Sequence, residues 1–351
     1  MWYFMHGRLE EARQAAVFRP EPFETDPWTD TLARFPMPPY AKHLRDVRIV
    51  LDAGHGGRAD RDGWKRGPTG LREAEVNLRV AQYLREFLEA VGAEVIMTRT
   101  EDVFLDRDDG RDLTARAEAA NRWPADLLLS IHHNAGVKNS TSNYTTMYYH
   151  GAPDHNLVSV RAARCLWESL NDALRLEQQL DCGVVSDFSL YPDQGLRLLR
   201  DALVPAVLSE ASFHSHPLEE KRLRDPAYNR REAYGLFLGL ARWAQAGLPR
   251  VILVEPTDGR VEAGKPIVIR LDDGLSRRGS LGMNLPQFSA DSILAGYEGT
   301  ALPFEFIANK KQIRIEATER MSRARGLLYV DFENLFGQHV VHPWIDLRGG
   351  R

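Results

Sequence analysis

Cysteine is nearly absent: the 351 residues include two, Cys165 and Cys182. Two cysteines do not build a disulfide framework, and neither has the spacing of a metal motif. Cys165 falls in a helical pattern and reads as a small core residue. Long apolar runs are missing too; none approaches the ~20 residues of a membrane-spanning helix. Met1 to Met5, MWYFM, is apolar but too short for a signal core and leads into charged residues, so no secretory leader is read there. Net charge is only -4, which recruits neither nucleic acid nor an anionic membrane. Internal repeats and low-complexity tracts are absent, and no Gly-Lys-Ser/Thr ending makes a phosphate loop. What is left is an ordinary globular composition, 43% hydrophobic and 27% charged, long enough for two domains.

Residues 1–46 read as an arm or linker. His6 to Val17 is expected as a short helix. Arg19 to Tyr40 follows with prolines at 20, 22, 27, 37 and 39 and little periodicity, and Phe23, Trp28 and Phe35 are candidates to pin it to the next domain. From 47 to 247 strand and helix signals alternate. Strands are expected at Val47 to Leu51, Glu94 to Thr98, Asp126 to Ile131, Tyr144 to Tyr149 and Pro205 to Ser209. Helices are expected at Glu75 to Val91, Leu113 to Arg122, Leu157 to Ala173, Leu196 to Ala202 and Arg230 to Ala246. Val80, Leu84, Phe87, Leu88 and Val91 share one helical face, and Gly92 supplies its C-terminal cap. Such alternation predicts an α/β domain with a mainly parallel sheet flanked by helices.

After Gly247 the pattern changes to short strand candidates at Val251 to Val254, Pro266 to Leu271, Phe304 to Ala308, Gln312 to Ala317, Leu327 to Glu333 and Val340 to Ile345. In one of them Ile313 and Ile315 alternate with Arg314 and Glu316, the period of a half-buried strand. Residues 248–351 are therefore expected to form an all-β, immunoglobulin-like sandwich.

Three strands of the first domain end in metal-capable or acid-base side chains. VRIVLDAGHGG delivers His55 onto a glycine turn, DLLLSI runs into His132, and PAVLS runs into Glu210. Ligands of open α/β sheets bind outside the carboxyl ends of the strands, so the three side chains are expected in one crevice. Two histidines and a glutamate are a common catalytic zinc set that leaves a position for water. The glutamate is expected at the start of the helix after His55, where Glu73 and Glu75 both qualify. Glu210 is placed to take the proton of that water and pass it to a leaving group. Of the pair His132-His133, one ring is expected in the cleft and the other away from it, since neighbours on a strand alternate. His214 and His216, just beyond Glu210, could line the cleft, but a surface loop is the expected place.

At these residues the chain resembles the zinc-dependent N-acetylmuramoyl-L-alanine amidases of type 3. LDAGHGG at 51–57, REAEVNL at 72–78, SIHHNA at 130–135 and PAVLSEASFHSHP at 205–217 are similar to that family's four motifs, in order. The resemblance covers about 47–246. It implies Zn2+ held by His55, Glu73 and His132, with Glu210 catalytic, and so selects Glu73 over Glu75. It also implies hydrolysis of the amide between N-acetylmuramic acid and L-alanine in peptidoglycan. Peptidoglycan or muropeptides are then the partner, acting as a substrate in the cell envelope, periplasmic or extracellular. A monomer is expected. The charged loop Arg58 to Gly70 and the two histidines His214 and His216 depart from the family pattern. The segment after His132 is too short for a long occluding insert, so an open site is expected. A zinc peptidase on a non-wall substrate and a non-catalytic wall-binding protein are the alternatives.

Overall fold

The structure, a computed structural model, describes residues 17–18, 35–57, 65–136, 141–152, 155, 157–276 and 287–350. They fall into two compact units, Met1–Ala244 and Gln245–Arg351.

The first unit is built on a six-stranded sheet. Its strands are β1 (Arg48–Ala53), β2 (Glu94–Met97), β3 (Leu127–Asn134), β4 (Thr146–Tyr149), β5 (Val184–Ser186) and β6 (Ala206–Phe213), in spatial order β2-β1-β3-β6-β4-β5. All neighbours are parallel except the antiparallel β4 and β6. The apolar strands β1 and β3 are buried on both faces, as parallel sheets covered by helices require. Helices α1 (Glu73–Ala90), α3 (Val158–Leu174) and α6 (Pro226–Gln245) cover one face. Phe87 of α1 stacks on Phe237 of α6, with ring centroids 5.6 Å apart. Helices α2 (Asp109–Arg122) and α4 (Arg197–Asp201) cover the other, where Ala120, Leu198 and Leu199 pack with Val50, Leu128 and Leu208. A short helix, α5 (Pro217–Leu223), follows β6.

Several element limits differ from expectation, each for a local reason. α1 begins at Glu73 rather than Glu75 because the Glu73 N–H is already held by Lys65 O, at 3.0 Å. α2 begins at Asp109 rather than Leu113 because Asp108 caps it, accepting from Arg111 N at 2.9 Å. Strands β3 and β6 continue past Ile131 and Ser209, so His132 and Glu210 lie within the ladder rather than beyond it. The short β5 and α5 carry too little periodicity to be read.

Of the N-terminal segment, Phe35 is 1% exposed and packs on Phe87 and Tyr234, so its anchoring role holds. Val17 pairs as a strand with Gln179 and is not the end of a helix; Val17 and Phe18 favour extended backbone. Residues 6–16, Phe23 and Trp28 lie outside the described residues.

The second unit holds two sheets. One, of four strands, comprises β7 (Arg250–Glu255), β9 (Pro266–Asp272), β12 (Glu305–Ile307) and β13 (Gln312–Glu316), in order β12-β13-β9-β7. The other, of five, comprises β8 (Arg260–Val261), β10 (Leu294–Tyr297), β11 (Thr300–Ala301), β14 (Gly326–Asp331) and β15 (Trp344–Gly349), in order β8-β15-β14-β10-β11. Ile267, Ile269, Ile313 and Ile315 of the first sheet and Leu328, Val330 and Leu347 of the second share one apolar cluster. The expected strand at Val340 to Ile345 is displaced. Val340 and Val341 are buried in a loop, where Val340 N donates to Asp331 Oδ1 at 2.9 Å, and pairing begins only at Trp344, beyond Pro343.

Candidate metal and acid-base site

β1 delivers His55. The chain leaves the sheet at Ala53, and Gly54 N donates to Ile131 O of β3 at 3.1 Å. A β-carbon on Gly54 would lie 2.1 Å from His132 Nε2, so only glycine lets the turn pass over that imidazole. His55 itself sits at φ 60, in the left-handed region that a residue with a β-carbon seldom adopts. The turn sets its ring edge-on to that of His132, with centroids 4.7 Å apart.

α1 delivers Glu73, its first residue. The first N–H groups of a helix lack intrahelical acceptors, and here the Glu73 N–H donates to Lys65 O. The side chain is 2% exposed; its Oε2 lies 3.1 Å from His55 Nε2 and its Oε1 3.0 Å from His132 Nδ1. Oε1 also accepts from His133 N at 3.1 Å. Asn77, one turn further along α1, bridges Glu73 Oε1 and Gly54 O. Glu75, the alternative, is exposed and pairs with Arg72 instead. Burial would raise the Glu73 carboxyl, but the charge of His55 and hydrogen bonds from His132 and His55 hold it well below the ordinary carboxylate range.

β3 delivers His132 into the cleft and sends His133 to the other face, as strand alternation predicts. His133 is fully enclosed, its ring bonded to Asn77 Oδ1 at 2.8 Å and Glu232 Oε2 at 3.0 Å. Burial would lower His133, yet the Glu232 carboxylate holds it above the usual histidine value. The ring therefore ties α1 to α6 from beneath the site. One ligand atom each from His55, Glu73 and His132 lies within 4.8 Å of the others. Two imidazole nitrogens and a carboxylate oxygen at this spacing suit Zn2+ and leave a position for water.

Glu210 stands opposite His132 in the parallel ladder between β3 and β6. Its Oε2 is buried without a hydrogen-bond partner among the described residues. Burial first, and then the charge of Glu73, push the Glu210 carboxyl well above the ordinary range; Lys65 works against that rise. A carboxyl raised in this way holds a proton more readily than an exposed glutamate does.

His214 is not on the surface. It is 2% exposed, with Nε2 3.7 Å from Glu73 Oε2, and burial lowers it to about 4, so the ring is neutral. The β6 strand carries the chain inward as far as Phe213, and His214 N then bonds to Asn134 O at 2.9 Å, which draws the residue under the site. His216 is half-buried and caps α5, its Nδ1 accepting from Glu219 N.

Behind the histidines lies a network of buried charge. Arg116 of α2 donates to Asp52 Oδ1 at 2.7 Å, to Asp112 Oδ2 at 2.8 Å and to His55 O at 2.7 Å. Asp52 also accepts from the hydroxyls of Ser130 and Thr98, each at 2.6 Å. Burial opposes its ionisation, but Arg116 and the two hydroxyls bring its pKa down to about 2. The network fixes the backbone on which His55 is carried. A cleft of about 380 Å³ opens over the site, lined by His55 and His132 together with Lys65, Phe104, Leu113 and Tyr191.

Comparison with known proteins bears on this geometry. The chain is 30% identical over 213 residues to the germination-specific N-acetylmuramoyl-L-alanine amidase of Bacillus subtilis, covering 58% of this chain and 83% of that one. It is 27% identical to the N-acetylmuramoyl-L-alanine amidase AmiC of Neisseria meningitidis, covering 59% of this chain and about half, 55%, of the relative. Among solved structures, the CwlD amidase of Clostridioides difficile, determined in complex with the GerS lipoprotein, aligns at 27% identity and a TM-score of 0.47, covering 56% of this chain and 96% of that one. The family model described as N-acetylmuramoyl-L-alanine amidase matches residues 49–242, a span that holds all four residues of the site, and the chain belongs to that family.

Proposed function

We propose that this protein hydrolyses the amide between N-acetylmuramic acid and L-alanine in peptidoglycan, with zinc held by His55, Glu73 and His132 and with Glu210 as base and then acid. The observation that carries the reading is the convergence of two imidazoles and a carboxylate within 4.8 Å of one another, next to a buried carboxyl that has no other partner. When bound, zinc in such a set lowers the pKa of water toward ~7 and polarises the carbonyl of the scissile amide. Glu210, ionised, accepts the proton of the attacking water at its free oxygen. It returns that proton to the amide nitrogen as the carbon–nitrogen bond breaks and the carboxyl product forms. Asn77 holds Glu73 in the orientation that serves both histidines, and Arg116 holds the carbonyl of His55. His214, neutral and enclosed, stands beside Glu73, its Nε2 3.7 Å from Oε2.

The substrate places the protein in the cell envelope; no helix among the described residues is long and apolar enough to cross a membrane. We read the two C-terminal sheets as an immunoglobulin-like sandwich and the protein as a monomer.

The test pairs metal analysis with product analysis. Purified protein should contain about one zinc per chain and release stem peptides that begin with L-alanine from purified sacculi, and a chelator should abolish the release. Peptides with another N terminus, or release that survives loss of the metal, would overturn the reading.

A further inference from the structure

Two cations line the cleft among the described residues, Arg116 and Lys65. Arg116 is spent: its guanidinium is bonded to Asp52, Asp112, Ala53 O and His55 O. Lys65 is exposed, and its ammonium has neither an ion pair nor a hydrogen bond among the described residues. Its backbone, by contrast, is closely held. Lys65 O receives the Glu73 N–H at 3.0 Å, and Lys65 adopts φ 46. A left-handed conformation is costly for a lysine, and such outliers gather at functional sites. The backbone is thus pinned to the residue that begins α1, while the side chain stays uncommitted at the cleft. Its charge is felt by Glu210 and by His214.

The surroundings define what this ammonium would meet. Asp109 and Asp112 line the cleft beside Asp52, so an anionic substrate group approaching there without a counter-charge is repelled. Phe104, Leu113 and Tyr191, which come from the segments around α2 and α4, give the cleft exposed apolar surface that no charge stabilises. The anionic part of a substrate therefore has one place to go. In a muropeptide the amide under attack is neutral and the nearby negative charge is a carboxylate of the peptide.

We propose that Lys65 forms a carboxylate subsite, pairing its ammonium with a free carboxylate on the stem peptide while the scissile amide lies over His55, Glu73 and His132. The proposal rests on the amidase reading above. Lys65 is a specificity residue here; it does not take part in bond breaking.

The test uses two muropeptides that differ only in whether the second stem residue carries a carboxylate or a carboxamide. Turnover is measured with the zinc-loaded protein and with K65Q and K65R, and binding of both compounds to E210Q and to E210Q/K65Q is measured by calorimetry. The wild-type protein should favour the carboxylate by about fivefold, expressed in KM, and added salt should shrink that preference. K65Q should bring the ratio close to one with kcat changed less than about twofold, and K65R should restore most of the preference. The calorimetric ratio should follow the same order. Equal treatment of both compounds by the wild type would overturn the proposal. So would K65Q keeping the preference. If neither compound is cleaved, the amidase reading fails, and calorimetry still decides on Lys65; binding of neither overturns both.

Discussion

Asp52 and Arg116, in the N-terminal unit, are 0% and 1% exposed and bonded to each other within the fold. In the C-terminal unit the corresponding pair, Arg325 and Asp346, sits in water, with side chains 73% and 33% exposed. That unit buries isoleucines, leucines and valines between two sheets, and its enclosed polar residues brace loops: Asp331 accepts from Val340 N and Asn334 donates to Ala246 O. The N-terminal unit encloses charges as pairs: Asp52 with Arg116 behind His55 and, elsewhere in the unit, Asp187 with His150. Enclosing a charge is expensive unless a partner and hydrogen bonds compensate it. A fold that needed only stability would follow the C-terminal pattern. The C-terminal unit encloses carboxylates as well, Asp273 beside Lys311 and Asp331 beside His339, but its cationic partners stay partly in water, whereas Arg116 is enclosed with Asp52.

Substitutions can break this contrast or sharpen it. The largest effect belongs to Glu210. E210Q should lower kcat by about 10²- to 10⁴-fold while zinc content and the melting profile stay as in the wild type; near-normal turnover would remove Glu210 from the mechanism. Next comes Arg116. R116M leaves Asp52 enclosed without its counter-charge and should cost about 3–5 kcal/mol in the urea transition of the first unit. The Asp52 carboxyl gives a smaller, pH-dependent effect. Its folded pKa of about 2 lies below the ordinary value of 3.8, so the unfolded chain takes up the proton first. The stabilisation is complete above about pH 4 and is lost as pH falls toward 2, a difference of about 2 kcal/mol. D52N should remove that part of the acid limb in a stability–pH series. Smallest is the surface pair: R325A should change stability by less than about 1 kcal/mol. A loss as large as that of R116M would erase the distinction between the units.

What the sequence makes legible follows the same division. Apolar runs disclose the strands that carry His55, His132 and Glu210, and glycines disclose the turn at 54–57. The runs mislead about where the strands stop, because His132, His133, Glu210 and Ser212 interrupt them although pairing continues through the backbone. Glu73 looks like a solvated residue of a first helical turn; only tertiary contact encloses it, so residue type and position leave Glu75 equally eligible. His214, just beyond Glu210, signals only that it could line the cleft; its burial depends on β6 running on to Phe213, which the residue order does not disclose. Lys65 sits in a charged loop where nothing in the order of residues separates it from Arg66. In the C-terminal unit, Leu294–Tyr297 is passed over because its glycine weakens the alternation, and the apolar pair Val340-Val341 attracts a strand that belongs to Trp344–Gly349.

His132 and Glu210 face each other across one rung of adjacent parallel strands, so their separation is inherited from the spacing of the sheet itself, about 4.8 Å between strands. That spacing fixes where the two α-carbons stand, and no loop has to set it. Lys65, on a connection outside the sheet, is under no such constraint. Rewriting that connection therefore changes what surrounds the cleft and leaves the placing of His132 and Glu210 on their strands untouched.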